Sequence, residues 1–426
     1  MDVDFKGKKL LILGGAYLHK KVVEAANEMG IYTIVTDNVP NAPAKLCASK
    51  AYDINVSDVE NIVAMCKAEK VDAVLNVCLD FCQLFYYEIC EKLQLPCYGS
   101  YEQFQTLTNK EKFKDVCRRC GIDTIPSYSE VDLENQCDDI EYPVLVKPAY
   151  SRGSRGQSVC GCFEEVLKAV EVARNISENG HVIIEKYMGG KEDFQVTYLV
   201  IDGNPIVVRT ADRYLGSKVE NMDRVAIALS SPSHNTDLYL SKVHEKVCSM
   251  IKHLEIKNAP VFMQGFVDGD TIRFYDPGLR FPGGDYDRVF ADVTGINLMK
   301  LLIELAFNGK LLSEEHGLND KTALLKGNII FTLHSTIKAG IIKKITPLEE
   351  ILEIAGVSYA TLRHKEGEIV TFTGTVNQRV AEINIVGRDV EEVKRTLQNV
   401  MNKFKVLDEN DDNMIFSRFE VENWRG

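Results

Sequence analysis

The strongest constraint on the fold lies in the first hundred residues, where short apolar runs alternate with amphipathic stretches. Residues 9–13, 32–36 and 73–77 read as strands, and 20–29, 59–68 and 84–93 as helices. A βαβα succession of this kind implies a mostly parallel sheet packed with helices, with a ligand crevice at the carboxyl ends of its strands. The turn after the first strand, LGGAYLHK, lacks the GxGxxG spacing, so a dinucleotide site is weakly supported. Asp37 closes the second strand and either caps local backbone or holds a ribose.

A chain of 426 residues exceeds what one core organises, and two to four packed units are expected. Hydrophobic residues at 45% and charged ones at 26% are globular values. The net charge of −12, with no basic stripe, disfavours nucleic acid as a partner. The 12 cysteines all precede Met250 at irregular spacings, and the one CxxC, Cys117 and Cys120, lies in a helical pattern, which favours unpaired thiols in a reducing cytoplasm over zinc. The apolar run near the N-terminus is too short for a signal-peptide core, and no later run approaches a membrane span. A cytoplasmic protein is expected, with no membrane partner and a homodimer as the default assembly.

A helix opening near 109–112 and ending at Gly121 marks the first boundary. The pattern from 142 onward, strand, glycine-rich loop, strand, helix, strand, reads as a small α+β lid. Longer strands at 194–201, 206–210, 261–267 and 271–275, with helices at 237–254 and 297–308, suggest a larger mixed sheet. Strands near 329–333 and 379–386 and a helix at 390–405 follow. The expected class is α/β and α+β, multidomain.

Three elements carry chemistry. In VLVKPAYSRGSRGQSV a strand ends in Lys147 and leads into a loop with Ser151, Gly153, Ser154 and Gly156. Glycine admits close backbone N–H approach to anionic oxygens, and lysine adds a point charge. Alone, this is equally a surface turn. In VIIEKYMGGKED a strand runs into Glu185, Lys186, Tyr187 and Met188, a hinge able to meet an adenine edge, with Glu192 placed to chelate ribose hydroxyls; alone, it is a strand ending in solvated charge. In FMQGFVDGDTIRFYDPGLRFPGGD a hairpin carries Gln264 and Asp276, hard oxygen ligands suited to Mg²⁺, and Arg280 follows, aimed at a transferring phosphate; DPG alone is ordinary turn chemistry.

In this order and at these separations, the elements resemble the ATP-grasp superfamily, which includes carbamoyl phosphate synthetase, biotin carboxylase and L-amino acid ligases. The resemblance extends over most of the chain. It implies an ATP-grasp fold with a Rossmann-like domain at 1–108, a small lid subdomain with its linker helix at 109–190, a large subdomain at 191–327 and a closing domain at 328–426. It places Lys110 and Lys147 on phosphates, Glu185 to Met188 at adenine and Glu192 at ribose. Gln264 and Asp276 fall at the metal, and Arg280 at the arginine of the family's ExNPR segment. The cofactors implied are ATP and Mg²⁺, with Mn²⁺ as a substitute. Asp276, Pro277 and Gly278 stand where the family usually has Glu-x-Asn, so one expected ligand is absent, and Asp285 or Asp287 is a candidate to replace it. Gln378 and Arg379 either organise a turn or meet substrate. The implied activity is ligation of a small carboxylate to an amine or related nucleophile through an acyl phosphate, with Lys147 and Arg280 catalytic. A biotin-independent carboxylase forming carboxyphosphate and a non-catalytic ATP-binding regulator are the alternatives.

Overall fold

The computed structural model describes residues 5–129, 140–148, 156–177, 180–216, 225–311, 316–371, 376–424 and 426. Strands β1 (Lys9–Leu13), β2 (Tyr32–Thr36), β3 (Lys50–Tyr52) and β4 (Ala73–Leu75) form a parallel sheet in the order β3-β2-β1-β4. Helices α1 (Lys20–Glu28), α2 (Val59–Glu69) and α3 (Gln83–Leu93) pack around it. Because β1 is paired on both edges and covered, Leu10, Leu11, Ile12 and Leu13 are all buried, which is why its run is continuously apolar and does not alternate. Asp37 serves local backbone: its carboxylate accepts from the amides of Gly15 at 2.7 Å and Val39 at 2.8 Å.

Helix α4 (Tyr101–Thr108) leads directly into α5 (Lys110–Arg119). The Asn109 side chain accepts from the amides of Glu111 and Lys112, both at 3.0 Å, so it caps α5 and fixes Lys110 as its first residue. The lid is an antiparallel sheet of β5 (Ser127–Tyr128), β6 (Val144–Pro148), β7 (Ser158–Cys160) and β8 (Val182–Lys186), in the order β5-β8-β6-β7. Helix α6 (Phe163–Ile176) lays Val166, Ala169, Val170 and Ala173 on Val144, Val146 and Ile184, the spacing of one helical face. β7 ends at Cys160, and Cys162 is the cap residue of α6.

The third sheet has nine strands. Its path is β13 (Thr271–Gly278), β12 (Ala259–Asp268), β9 (Asp193–Ile201), β10 (Asn204–Leu215), β11 (Ala226–Ser231), β14 (Ile329–Ile337), β19 (Arg379–Gly387) and β17 (Val357–Leu362), with β21 (Ile415–Ser417) also on β14. It runs without a break from strands before residue 327 to strands after it. Two short ladders, β15 (Gly340–Ile341) with β18 (Ile369–Val370) and β16 (Lys344–Ile345) with β20 (Val406–Leu407), lie beside it in sequence. The helix expected over 237–254 is two, α7 (Thr236–Lys242) and α8 (His244–His253), interrupted at Val243. The break lets His244 Nδ1 reach the Tyr198 hydroxyl at 2.8 Å. The rest of the helical layer is α9 (Tyr286–Thr294), α10 (Leu298–Asn308), α11 (Leu348–Leu352) and α12 (Val390–Lys403). No helix among the described residues is long and apolar enough to cross a membrane.

The register of the nine-stranded sheet positions everything that follows. Side chains alternate along a strand, and directly paired residues share a face. On β9, Phe194, Val196 and Tyr198 enter the main core, so Asp193, Gln195 and Thr197 face the other way. On β14, Phe331 and Leu333 enter a second core with Val393, Leu397 and Val400 of α12, leaving Thr332 and His334 on the opposite face. Pairing joins these polar positions across the sheet: Asp276 to Gln264 to Gln195, Asp193 to Arg213, and His334 to Glu382 to Thr361. One face of the sheet is therefore a largely polar floor, with Ala211 and Leu229 as its apolar positions between the two ends.

Candidate active site

At one end of that floor, Gln264 on β12 and Asp276 on β13 are direct register partners, as the hairpin reading requires. Gln264 Nε2 donates to Gln195 Oε1 at 3.1 Å, and the Tyr275 hydroxyl lies 3.4 Å from Gln264 Oε1, so the amide oxygen faces the polar side. Burial pushes the Asp276 carboxyl above its usual range, against the pull of Lys110, Arg280 and Arg213. Lys110 is lowered, first by burial and then by Lys147. These mutual influences bring Lys110, Lys147 and Asp276, from three separate motifs, to one place.

The lid closes the group from the other side. Lys147, near the end of β6, donates to Glu185 Oε2 at 2.5 Å, and Lys114 donates to Glu185 Oε1 at 2.6 Å. Burial alone would raise the Glu185 carboxyl, but Lys147 and Lys114 outweigh it and hold the group below its ordinary value. Lys114 was not singled out from the sequence, although it sits one helical turn after Lys110 and shares its face. Lys186 pairs with Glu141 and lies 3.9 Å from Asp268. Met188 is buried, and a Cβ on Gly189 would lie 2.2 Å from the Tyr187 ring, so a larger residue there requires that ring to move. Gly156 is left-handed at φ +78° and abuts Pro148, while Ser151, Gly153 and Ser154 lie outside the described residues.

Glu192 Oε2 is met by His234 Nε2 and Asn235 Nδ2, each at 3.0 Å. His234 Nδ1 is 2.8 Å from Asp212, and that hydrogen bond does most to raise the imidazole to about 9. At neutral pH His234 is therefore a cation, and both ring nitrogens donate.

Arg280 is held by a partner in the N-terminal sheet region that the sequence did not suggest. Its Nε donates to Asp80 Oδ1 at 2.6 Å and its Nη2 to Oδ2 at 2.5 Å, a two-pronged clamp, and its guanidinium lies 4.4 Å from the Phe262 ring centroid. Gln83 ties the clamp down by donating to Asp80 Oδ1 and to the Leu279 carbonyl, both at 3.3 Å. Phe262 also settles what stands at the missing-ligand position: a Cβ on Gly278 would lie 2.1 Å from its ring. No ligating side chain fits there. Asp285 and Asp287, the candidate replacements, are engaged elsewhere: Asp287 pairs with the buried Lys21 of α1 at 2.5 Å, and Asp285 Oδ2 accepts from the Thr361 hydroxyl at 3.4 Å.

The model for the ATP-binding domain of the carbamoyl-phosphate synthase L chain matches residues 109–314, the stretch that holds every one of these motifs. Residues 109–314 match that ATP-grasp ATP-binding domain, and the chain has the ATP-grasp fold. Phosphoribosylglycinamide synthetase from Anaerococcus prevotii superposes on this chain with a TM-score of 0.75 at 19% identity, over 95% of this chain and 100% of that one. The biotin carboxylase domain of the Hydrogenobacter thermophilus 2-oxoglutarate carboxylase, solved with MgADP and bicarbonate, does so with a TM-score of 0.73 at 18% identity, over 94% and 90%. In sequence, the formate-dependent phosphoribosylglycinamide formyltransferase of Sulfurisphaera tokodaii is 30% identical over 225 residues, 48% of this chain and 54% of that one. The chain spans about half the length of the curated relatives it matches first.

Proposed function

We propose that this chain is an ADP-forming ligase that uses Mg·ATP to activate a small carboxylate as an acyl phosphate, which an amine or related nucleophile then attacks. The observation that supports the reading is the cluster in which Asp276, the register partner of Gln264, feels Lys110 and Arg280, while Lys110 in turn feels Lys147. In this reading ATP lies between the lid, residues 109–190, and the large subdomain, 191–327. The N-terminal unit, 1–108, and the closing unit, 328–426, border the acceptor substrate.

The donor set fits one divalent cation. An amide oxygen and a single carboxylate on adjacent strands suit a Mg²⁺ that keeps most of its shell as water and phosphate oxygen, and the Phe262 ring against Gly278 leaves no room for a third protein ligand nearby. Bound there, the cation would supply charge neutralisation at the β- and γ-phosphates. The chain's own residues do the rest by placement. Lys110 and Lys147 present ammonium groups to the phosphates from a helix start and a strand end. Arg280, pinned by Asp80 and Phe262, keeps a fixed orientation toward the oxygen that gains charge. A substrate carboxylate oxygen bonds to the γ-phosphorus as ADP departs. The nucleophile then bonds to the acyl carbon, phosphate leaves, and the nucleophile's proton passes to solvent. No side chain acts as a covalent nucleophile.

The test is ADP release from Mg·ATP, screened against amino acids and small carboxylates singly and in pairs. Release that needs both an acid and an amine is the expected result. Release stimulated by bicarbonate alone would replace the ligase reading with a carboxyphosphate-forming one, and nucleotide binding with no release under any condition would replace it with a regulatory ATP-binding protein.

A further inference from the structure

The far end of the polar floor is built from arginine. Arg209 and Arg213 lie on β10, Arg379 opens β19, and Arg363 follows β17, all beside His334 of β14. Two carboxylates are committed: Asp193 to Arg213 at 2.5 Å and Glu382 to Arg363 at 2.6 Å. Arg209 donates to Ser231 Oγ at 3.0 Å and lies 3.8 Å from the Tyr286 ring centroid, and Arg379 donates to the Ala226 carbonyl at 2.9 Å. Neither has a carboxylate partner among the described residues. Asp287, which is close by, is taken by Lys21.

Donors are also left over. Arg363 Nε, Arg379 Nε, His334 Nδ1 and Thr336 Oγ1 are buried without a hydrogen-bond partner among the described residues, and β14 pairing sets Thr336 opposite Arg379. His334 Nδ1 is 3.7 Å from Glu382, beyond hydrogen-bonding reach. Burial, then Arg379, Arg363, Arg209 and Arg213, hold the imidazole well below its ordinary value, so it stays neutral and offers one N–H. Buried cations without counter-charge and buried donors without acceptors are both costly, and a folded chain retains them together where a ligand supplies what is missing. Arginine's planar fork suits an oriented oxyanion better than lysine's point charge does. Arg213 links this end to the other, since its Nη1 also donates to the Tyr275 hydroxyl at 2.8 Å, beside Gln264.

We propose that Arg209, Arg363 and Arg379, with Thr336 and His334, bind a doubly charged oxyanion of the substrate, a phosphate monoester or a dicarboxylate, whose reacting end extends toward Asp276 and Arg280. The inference rests on the ligase reading for the location of the reacting end. It does not rest on it for the anion itself.

The experiment measures melting temperature of the full chain saturated with Mg·ADP, titrated with glycerol 2-phosphate, succinate and acetate. One of the two dianions is expected to stabilise the protein saturably while acetate does not; which one does identifies the class. Arg379→Gln should weaken that binding by roughly tenfold or more while leaving the Mg·ADP shift intact, which also shows that the variant is folded. Thr336→Val provides a second variant with no change of charge, expected to weaken binding by a few-fold. Equal stabilisation by acetate, or no stabilisation by either dianion when Mg·ADP binds normally, would overturn the proposal and leave the ligase reading standing. If Mg·ADP itself gives no shift, the nucleotide reading falls, and the dianion titration still decides the anion site.

Discussion

The two ends of the polar floor attract anions by different means. At the lid end, Lys114 and Lys147 pair with Glu185 while Lys110 feels the charges of Lys147 and Asp276, and these cations are point charges carried on a helix start and a strand end. At the closing end, Arg209, Arg213, Arg363 and Arg379 are fixed in strands or beside them, with rigid forks and defined hydroxyl, carbonyl or carboxylate partners. Lysine tolerates a phosphate chain that shifts along a reaction coordinate, whereas arginine reads a group that must stay in one orientation. In the proposed ligase, the difference separates the part of the site that transfers from the part that holds.

Removing Lys147 should have the largest effect. Lys147→Ala is expected to lower ADP release by about 10²–10³-fold, the scale of losing a group aimed at developing charge. The fold should survive, because Lys114 still holds Glu185 Oε1 at 2.6 Å. Lys114→Ala loses that bond and the one to the Ile125 carbonyl at 3.0 Å, so it should show more in melting temperature and less in rate. Equal rate losses in the two variants would erase the distinction between a transferring lysine and a supporting one.

At the arginine end the corresponding change is Glu382→Gln. The carboxylate is fully buried, accepts from Arg363 and from the Asp285 amide, and stands between the guanidiniums. Breaking a buried pair by neutralising one partner costs on the order of 3 kcal/mol, measurable by urea unfolding. A dianion that binds the arginine end should recover part of that loss in the variant. A change below about 0.5 kcal/mol, ordinary for an inconsequential surface site, would show that the arginines are balanced without Glu382.

The two ends also differ in how far the sequence announced them. The lysine end is written in contiguous segments, since Lys147 with its loop and Glu185 with its hinge each carry their context within about a dozen residues, a span that local pattern reading can resolve. The arginine end is assembled by strand order: β14, β19 and β17 come late in the chain yet extend the sheet begun by β9 and β10. Nothing local ties Arg209 to Arg379. A signal was present in the alternation of Asp193, Gln195 and Thr197 with apolar neighbours, and of Thr332, His334 and Thr336 with theirs, which marks strands whose second face is polar. That pattern identifies a polar face but not the order in which the strands pair. Asp80 escaped for the same reason, because its clamp on Arg280 joins residues that only tertiary packing brings together.

The smallest predicted effect distinguishes the ends by its sign with pH. Glu185 is held below its ordinary value, so its pairing stabilises the fold above the unfolded carboxyl value and is lost as pH falls through the folded one. Asp285 behaves oppositely. Burial first, and then Glu382, push its carboxyl up to about 7, so the folded state keeps a proton that the unfolded chain, with an aspartate value of about 4, has already released. Between those values the folded state binds more protons, and stability therefore declines as pH rises from about 4 through 7. Asp285→Asn removes that group from the titration. Urea unfolding at pH 5 and pH 8 should show a smaller loss on going to pH 8 in the variant than in the parent chain. An unchanged slope would mean that Asp285 is already ionised in the folded state and is itself a counter-charge to the arginines, which would leave less charge for a substrate dianion to balance.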